Sequence, residues 1–313
     1  MVAVGRRVCY SKSWMFFPDF LKDYLPMVFG KEWGEAELKK PFKEQHQVVQ
    51  WRTKSLEFMR KQPQSPDGSY SAIPSGFMAA YLSLAYDLYI VEDNGRLDEN
   101  LLERLRHPDQ FQGARHELFS EATCLRAGFG IEHENEKDPT KRHAEFVATH
   151  KETGQKISVE AKSKHRPGIL GFPGDPQPEE EVSLRFGSLL NDAFKKNPPH
   201  PLVIFLDTNL PPTIAERILR PASMEPFIPS RPIVKLLAQI TKEYGETDPF
   251  SLAVLTNTPH HYGAEEEPDP EKRILSIVSQ KSGNPAAGPE AIMNIHNAAN
   301  LYGNIPNEFP ESN

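Results

Sequence analysis

The sequence predicts an α/β protein with a mainly helical N-terminal region. Three observations carry that expectation. Residues 1–110 hold apolar side chains at helical spacing. Residues 111–258 alternate between helical and strand patterns. Two short apolar runs, 202–206 (Leu-Val-Ile-Phe-Leu) and 251–255 (Ser-Leu-Ala-Val-Leu), fit strands buried in a sheet. Residues 259–313 form a Pro/Glu-rich extension, expected to pack partly on that core.

The elements follow in order. Val48, Trp51, Leu56 and Met59 place a helix within 42–60. Pro63, Pro66, Gly68 and Pro74 mark 62–75 as a loop. Residues 77–91 are so apolar that the helix there is expected to be buried, ending at Asp93-Asn94-Gly95. A short helix is expected over 97–105. The next spans 112–127 and stops at Gly128 and Gly130. Residues 144–149 and 156–163 read as strands flanking Glu152-Thr153-Gly154-Gln155. Pro and Gly make 165–181 a long loop. Helices are expected over 182–196 and 233–244, and residues 274–279 and 291–301 are pieces able to pack back on the core.

Composition narrows the class. The chain has 313 residues, of which 38% are hydrophobic and 25% charged, as in a globular protein. No run of 18 apolar residues exists, so a membrane-spanning helix is not expected. The start shows no signal-peptide stretch and the end no lipidation motif, which makes the cytoplasm the expected location. With two cysteines, Cys9 and Cys124, neither a disulfide framework nor a Cys-rich zinc site is expected; Cys124 suits a core position. A net charge of −7 excludes polyanion binding through bulk charge, so any nucleic-acid contact must rest on local positive charge. No phosphate-cradling Gly loop, HExxH or nucleophile elbow is present, which removes ATP-driven and serine-hydrolase chemistry.

The informative stretch is 117–164. Glu160-Ala161-Lys162 is a weak signal alone, since Glu37-Leu38-Lys39 repeats the triplet elsewhere. Context strengthens it. Ile157, Val159 and Ala161 alternate with Ser158, Glu160 and Lys162, so Glu160 and Lys162 share one strand face. An even turn centred between Thr153 and Gly154 pairs Glu145 with Lys162 and Val147 with Glu160, setting Glu145 on that face, diagonal to Glu160. An odd turn would put Glu145 on the opposite face. Two carboxylates and a lysine on one face are costly without a purpose, and a bridging Mg²⁺ or Mn²⁺ supplies one. Glu117, on the preceding helix with Ala114, Leu118, Ala122 and Leu125 buried, is a fourth candidate. Glu121 reads as a helix-surface charge. His260-His261-Tyr262 read as loop residues. Asp207-Thr208-Asn209 could line the same cleft or simply begin a turn.

A helix with a Glu, a Gly, then three strands of which the last ends in Glu-x-Lys resembles the PD-(D/E)XK nuclease superfamily. Ala144-Glu145-Phe146 stands where that family's Pro-Asp-Phe lies, and 182–196 with 202–206 continue its αβββαβ order. The resemblance covers about 111–210. It implies a restriction-endonuclease-like core with a mixed sheet. Ala144 replaces the proline and Glu145 the aspartate, which makes Asp138 a rival first ligand, although its register with the hairpin is unfavourable.

The resemblance implies a metal-dependent nuclease hydrolysing phosphodiester bonds, with DNA the expected substrate. Glu145 and Glu160 would hold Mg²⁺ or Mn²⁺. Lys162 would orient or deprotonate the attacking water or stabilise the pentacoordinate phosphorane, and Glu117 would bind a second metal or position a water. The resemblance also allows a homodimer. Local charge agrees with a polyanionic substrate: residues 141–166 carry seven Lys or Arg against three acids. Lys164 is the favoured phosphate contact; Lys141 and Lys151 fit a solvated hairpin surface equally well. The alternative is a catalytically inactive nucleic-acid or protein-binding module on the same fold. A third reading is an interaction protein whose role resides in 1–110.

Overall fold

The computed structural model describes residues 1–66, 68–95, 97–133, 144–178, 187–209, 250–257, 274–278 (as backbone) and 287–310. The helix expected over 233–244, the acidic run 265–269 and the His260-His261 pair lie outside these residues.

The N-terminal region is helical, with one exception. Strands β1 (Val2–Val4) and β2 (Arg7–Cys9) form a small hairpin. Strands of three residues around Gly5, at φ +53°, are too short for alternation to reveal them. The hairpin is tied to the helices through Glu92, which accepts from Arg7 Nε at 2.6 Å and from Tyr24 Oη at 2.5 Å. Helices α1 (Phe17–Phe29), α2 (Lys31–Leu38), α3 (Gln47–Arg60), α4 (Gly76–Asn94) and α5 (Glu99–Arg106) follow. Their starts are chemically marked. The Ser75 hydroxyl accepts from the Met78 amide, and Asp98 accepts from the amides of Asn100 and Leu101, satisfying donors a helix leaves free.

Helix α6 (Phe111–Arg126) ends where Gly128, at φ +87°, turns the chain into β3 (Phe129–His133). Then come β4 (Phe146–His150), β5 (Lys156–Ser163), α7 (Gly187–Phe194), β6 (Leu202–Asp207), β7 (Leu252–Thr256), β8 (Ile274–Val278) and α8 (Pro289–Asn300). The sheet is mixed, with strand order β3-β4-β5-β6-β7-β8. β3, β4 and β5 are antiparallel neighbours, β5, β6 and β7 run parallel, and β8 is antiparallel to β7. The α/β class and the alternation of helix and strand after residue 110 match the sequence expectation.

The β4–β5 turn occupies 151–154. The His150 amide donates to the Gln155 carbonyl, and Gly154 takes φ +70°. Phe146 therefore faces Val159 and Val147 faces Ser158. This corrects the expected register, which paired Val147 with Glu160. The turn is centred one residue earlier, so the register moves by two. An even shift preserves side-chain faces.

Helix α6 lies between the helical layer and the sheet. Phe119 meets Phe205 of β6 edge to face at 5.9 Å and Tyr302, just after α8, at 4.7 Å. Two α6 arginines reach buried carboxylates. Arg126 lies 3.6 Å from Asp87 of α4, and Arg115 acts on both Asp87 and Asp207 while donating to Tyr302 Oη at 3.2 Å. Burial pushes Asp87 up to about 7 and Asp207 up to about 6, against the pull of these arginines. One hydrophobic cluster runs from Phe17 and Leu25 through Ala114 and Phe119 to Phe205, Val254 and Ile295. Cys124 is buried in it as a free thiol, as expected.

Replacing Phe119 by Ala removes the ring through which α6 meets both β6 and Tyr302. The expected loss is about 3–5 kcal/mol, the usual cost of emptying a buried aromatic site. It is to be read as a lowered midpoint in denaturant titration; an unchanged midpoint would show that this ring does not hold α6 to the sheet.

Candidate functional site

Strand β5 alternates across the sheet. Ile157 and Val159 join the core facing α6, so Glu160 and Lys162 face the other side, toward α7. That side of the neighbouring strand β6 is closed by Leu202, Ile204 and Leu206, all buried. Glu160 is fully buried among them, at 0% exposure. Its position follows from a sheet with helices on both faces, where the middle of a strand is covered.

A buried carboxylate needs compensating charge. Glu160 has two lysines. Lys162 Nζ stands 2.7 Å from Oε2, and Lys196 Nζ stands 2.6 Å from Oε1. Lys162 also donates to Glu145 Oε1 at 3.0 Å, and Lys196 lies 3.9 Å from the same oxygen. Glu145 sits one residue before β4, on the strand beside β5. The two glutamates and Lys162 thus converge, as the even register requires. Lys196 completes the group. It extends from the turn after α7, where its amide donates to the Ala193 carbonyl.

The electrostatics follow from this crowding. Burial alone would lower the Lys162 pKa, but Glu160 and Glu145 outweigh it and raise the pKa, so the ammonium stays charged. Burial raises the Glu160 pKa, and Lys162 and Lys196 oppose that rise. Each Glu160 oxygen meets one lysine ammonium at ion-pair distance. The carboxylate is neutralised, but its lone pairs are not saturated.

Helix α6 contributes differently from expectation. Glu117 pairs with Arg104 of α5 at 2.6 Å. Glu121, expected on the helix surface, is instead buried at 2% exposure. It falls on the 111, 114, 118, 121, 125 stripe that faces inward once α6 is covered on two sides. Its Oε1 is buried without a hydrogen bond, 3.6 Å from His133 Nε2. Burial, with the like charges of Glu117, Asp98 and Glu145, pushes its pKa up to about 8. Glu121 is therefore electrostatically coupled to the Glu145 side of the site.

The basic strip divides. Lys164 follows β5 directly, two residues beyond Lys162, with its amide on the Asp207 carbonyl. Lys151 is at the far end of β4 from Glu145, about 20 Å along a strand. There it lines a separate cleft with Arg126, His150 and Asn294. Arg166 is buried, donating from Nε to the Thr208 carbonyl. Lys141 and Asp138 lie outside the described residues. Asp207 accepts from Thr256 Oγ1, Thr208 Oγ1 donates to Thr256, and Asn209 donates to Ser163 Oγ and the Lys164 carbonyl. These bonds staple the ends of β5, β6 and β7 and put the Asp207 carboxylate among structural partners. The apolar cleft walled by Leu25, Trp33, Val48 and Tyr81 lies in the helical layer and contains none of the four charged residues.

Among the described residues no group of three or more His, Cys, Asp or Glu stands as a metal site. Glu145 and Glu160 nevertheless suit a hard divalent cation. They are oxygen donors, one on β5 and one just before β4, close enough to share one ammonium, and each Glu160 oxygen meets a single lysine, which leaves it a further lone pair to offer. A Mg²⁺-like ion commonly takes one or two carboxylates and completes its shell with water and phosphate oxygens. Also among the described residues, no helix is long and apolar enough to cross a membrane. No protein-family model, curated protein or solved structure matches the chain.

Glu121 carries a pH signature. Its raised folded value means that the native state keeps a proton the unfolded chain releases. Its contribution to stability is intact below the unfolded value near 4.5 and is lost as pH rises through about 8. Glu121→Gln should flatten the fall in melting temperature between pH 5 and 9 and leave the variant more stable than wild type at pH 9. Parallel melting curves for the two proteins would contradict this.

Proposed function

We propose that the protein is a metal-dependent nuclease that hydrolyses phosphodiester bonds, with DNA as its substrate. The observation that carries the proposal is the convergence of Glu145, Glu160 and Lys162 on one face of adjacent strands. The chain order of α6, β3, β4, β5, α7 and β6 supports it, being that of a restriction-endonuclease-like core.

Glu145 and Glu160 would hold Mg²⁺ or Mn²⁺, with the Ala161 carbonyl nearby as a further oxygen. The ion would lower the pKa of the attacking water and offset charge developing on the phosphate. Lys162 would contribute as a hydrogen-bond donor. Two carboxylates keep its ammonium charged, so it can orient the attacking water or donate to a non-bridging phosphate oxygen. Glu117 would position water from α6, and its pairing with Arg104 sets its orientation. Lys164, beside this end of β5, would meet the backbone phosphates.

The test is cleavage of linear, supercoiled and single-stranded DNA, and of RNA, in Mn²⁺, Mg²⁺ or EDTA at low salt. Wild type should cut only with metal. Glu160→Ala and Lys162→Ala should each lower the rate at least about 100-fold, the scale for removing a group that stabilises transition-state charge. Folded wild type that retains nucleic acid without cutting, with retention surviving Lys162→Ala, would establish the non-cleaving binding module instead. The charge balance of two carboxylates and two lysines is the observation that favours that module.

A further inference from the structure

We propose that Lys196 is a positioning residue that holds Glu160 and Glu145 in the absence of a divalent cation and withdraws when one binds. The inference rests on the metal-binding reading of those two carboxylates and concerns a lysine which that reading leaves without a role.

The basis is charge. Two carboxylates and two ammonium groups cancel in a site whose central residue is fully buried. A divalent cation added to the intact group would leave an uncompensated double positive charge where the dielectric is low. One ammonium has to leave, and the geometry selects which. Lys162 lies on β5 and touches both carboxylates, at 2.7 and 3.0 Å. Lys196 touches Glu160 at 2.6 Å, but Glu145 only at 3.9 Å. The Lys196 side chain is 25% exposed against 19% for Lys162, so both have a path to water and the Glu145 contact makes the difference.

Its backbone is fixed while its side chain can move. Phe194, two residues earlier, stacks on Phe250 at 5.8 Å. Asn197 turns the chain at φ +44°, its amide on the Phe194 carbonyl, and Pro198 prevents continuation of the helix. Four methylene groups then let the ammonium swing outward without moving α7. Lys196 is thus a tethered cation competing with the metal for the same oxygens. A merely structural lysine would make the opposite prediction, since its loss would disorder Glu160 and weaken metal binding.

Mn²⁺ alone is the probe, titrated calorimetrically into the full chain as wild type, Lys196→Met, Lys196→Arg and Glu160→Ala. Lys196→Met should bind Mn²⁺ about tenfold more tightly, a change on the scale of outer-shell effects on metal affinity. Lys196→Arg, which keeps the cation, should stay close to wild type, and Glu160→Ala should lose binding. In EDTA, Lys196→Met should melt below wild type, and Mn²⁺ should close that gap. If Lys196→Met does not fold, Lys196→Gln replaces it with the same expectation. Unchanged or weaker Mn²⁺ binding by the variant, with wild-type binding lost in Glu160→Ala, would overturn the inference and leave the metal site standing. No Mn²⁺ binding by folded wild type would overturn both.

Discussion

A carboxylate with no access to water sits in the middle of the sheet, and much of the architecture follows from compensating it. Glu160 cannot be buried alone at acceptable cost. Lys162, two residues on, is the nearest cation that β geometry can deliver to the same face. Lys196 arrives from the other direction and requires α7 to end where it does, with Asn197 in the left-handed region and two prolines behind it. Glu145 then has to stand on the adjacent strand, which sets the parity of the β4–β5 turn. Strand register, helix terminus and turn length are three solutions to one electrostatic demand.

Local sequence carries only part of this information. The shared face of Glu160 and Lys162 was legible because a period of two is visible within six residues. The approach of Glu145 needed only the parity of a short turn, so it survived an error of two in the register. Lys196 was not legible. It stands 36 residues after Glu160, and no local rule says that the last turn of α7 points into the sheet. Glu121 was misjudged because the stripe containing Ala114, Leu118 and Ala122 was taken as the whole of the buried surface. A helix covered on two sides buries a wider arc. The partner of Glu117, Arg104, comes from a neighbouring helix, so that pairing is not legible in the local sequence.

The triplet Glu37-Leu38-Lys39 shows how little such a motif means without its context. There the glutamate ends a helix. Its Oε2 accepts from the His46 amide, and its Oε1 accepts from Lys40. The same two residue types act as a brace before α3. A helix carries residues two apart to different faces, whereas a strand returns them to one.

Helix α6 presses against α4 on one side and against the sheet on the other, while α8 closes its flank through Tyr302 and β8 extends the far edge of the sheet. The N-terminal helices and the sheet therefore share one core. Cutting at residue 111 would expose one apolar side of α6 to water and leave the Arg126 partner Asp87 behind. The charged group on the sheet and the distant N-terminal helices are inherited together. Recombination that separated them would have to cover α6 anew.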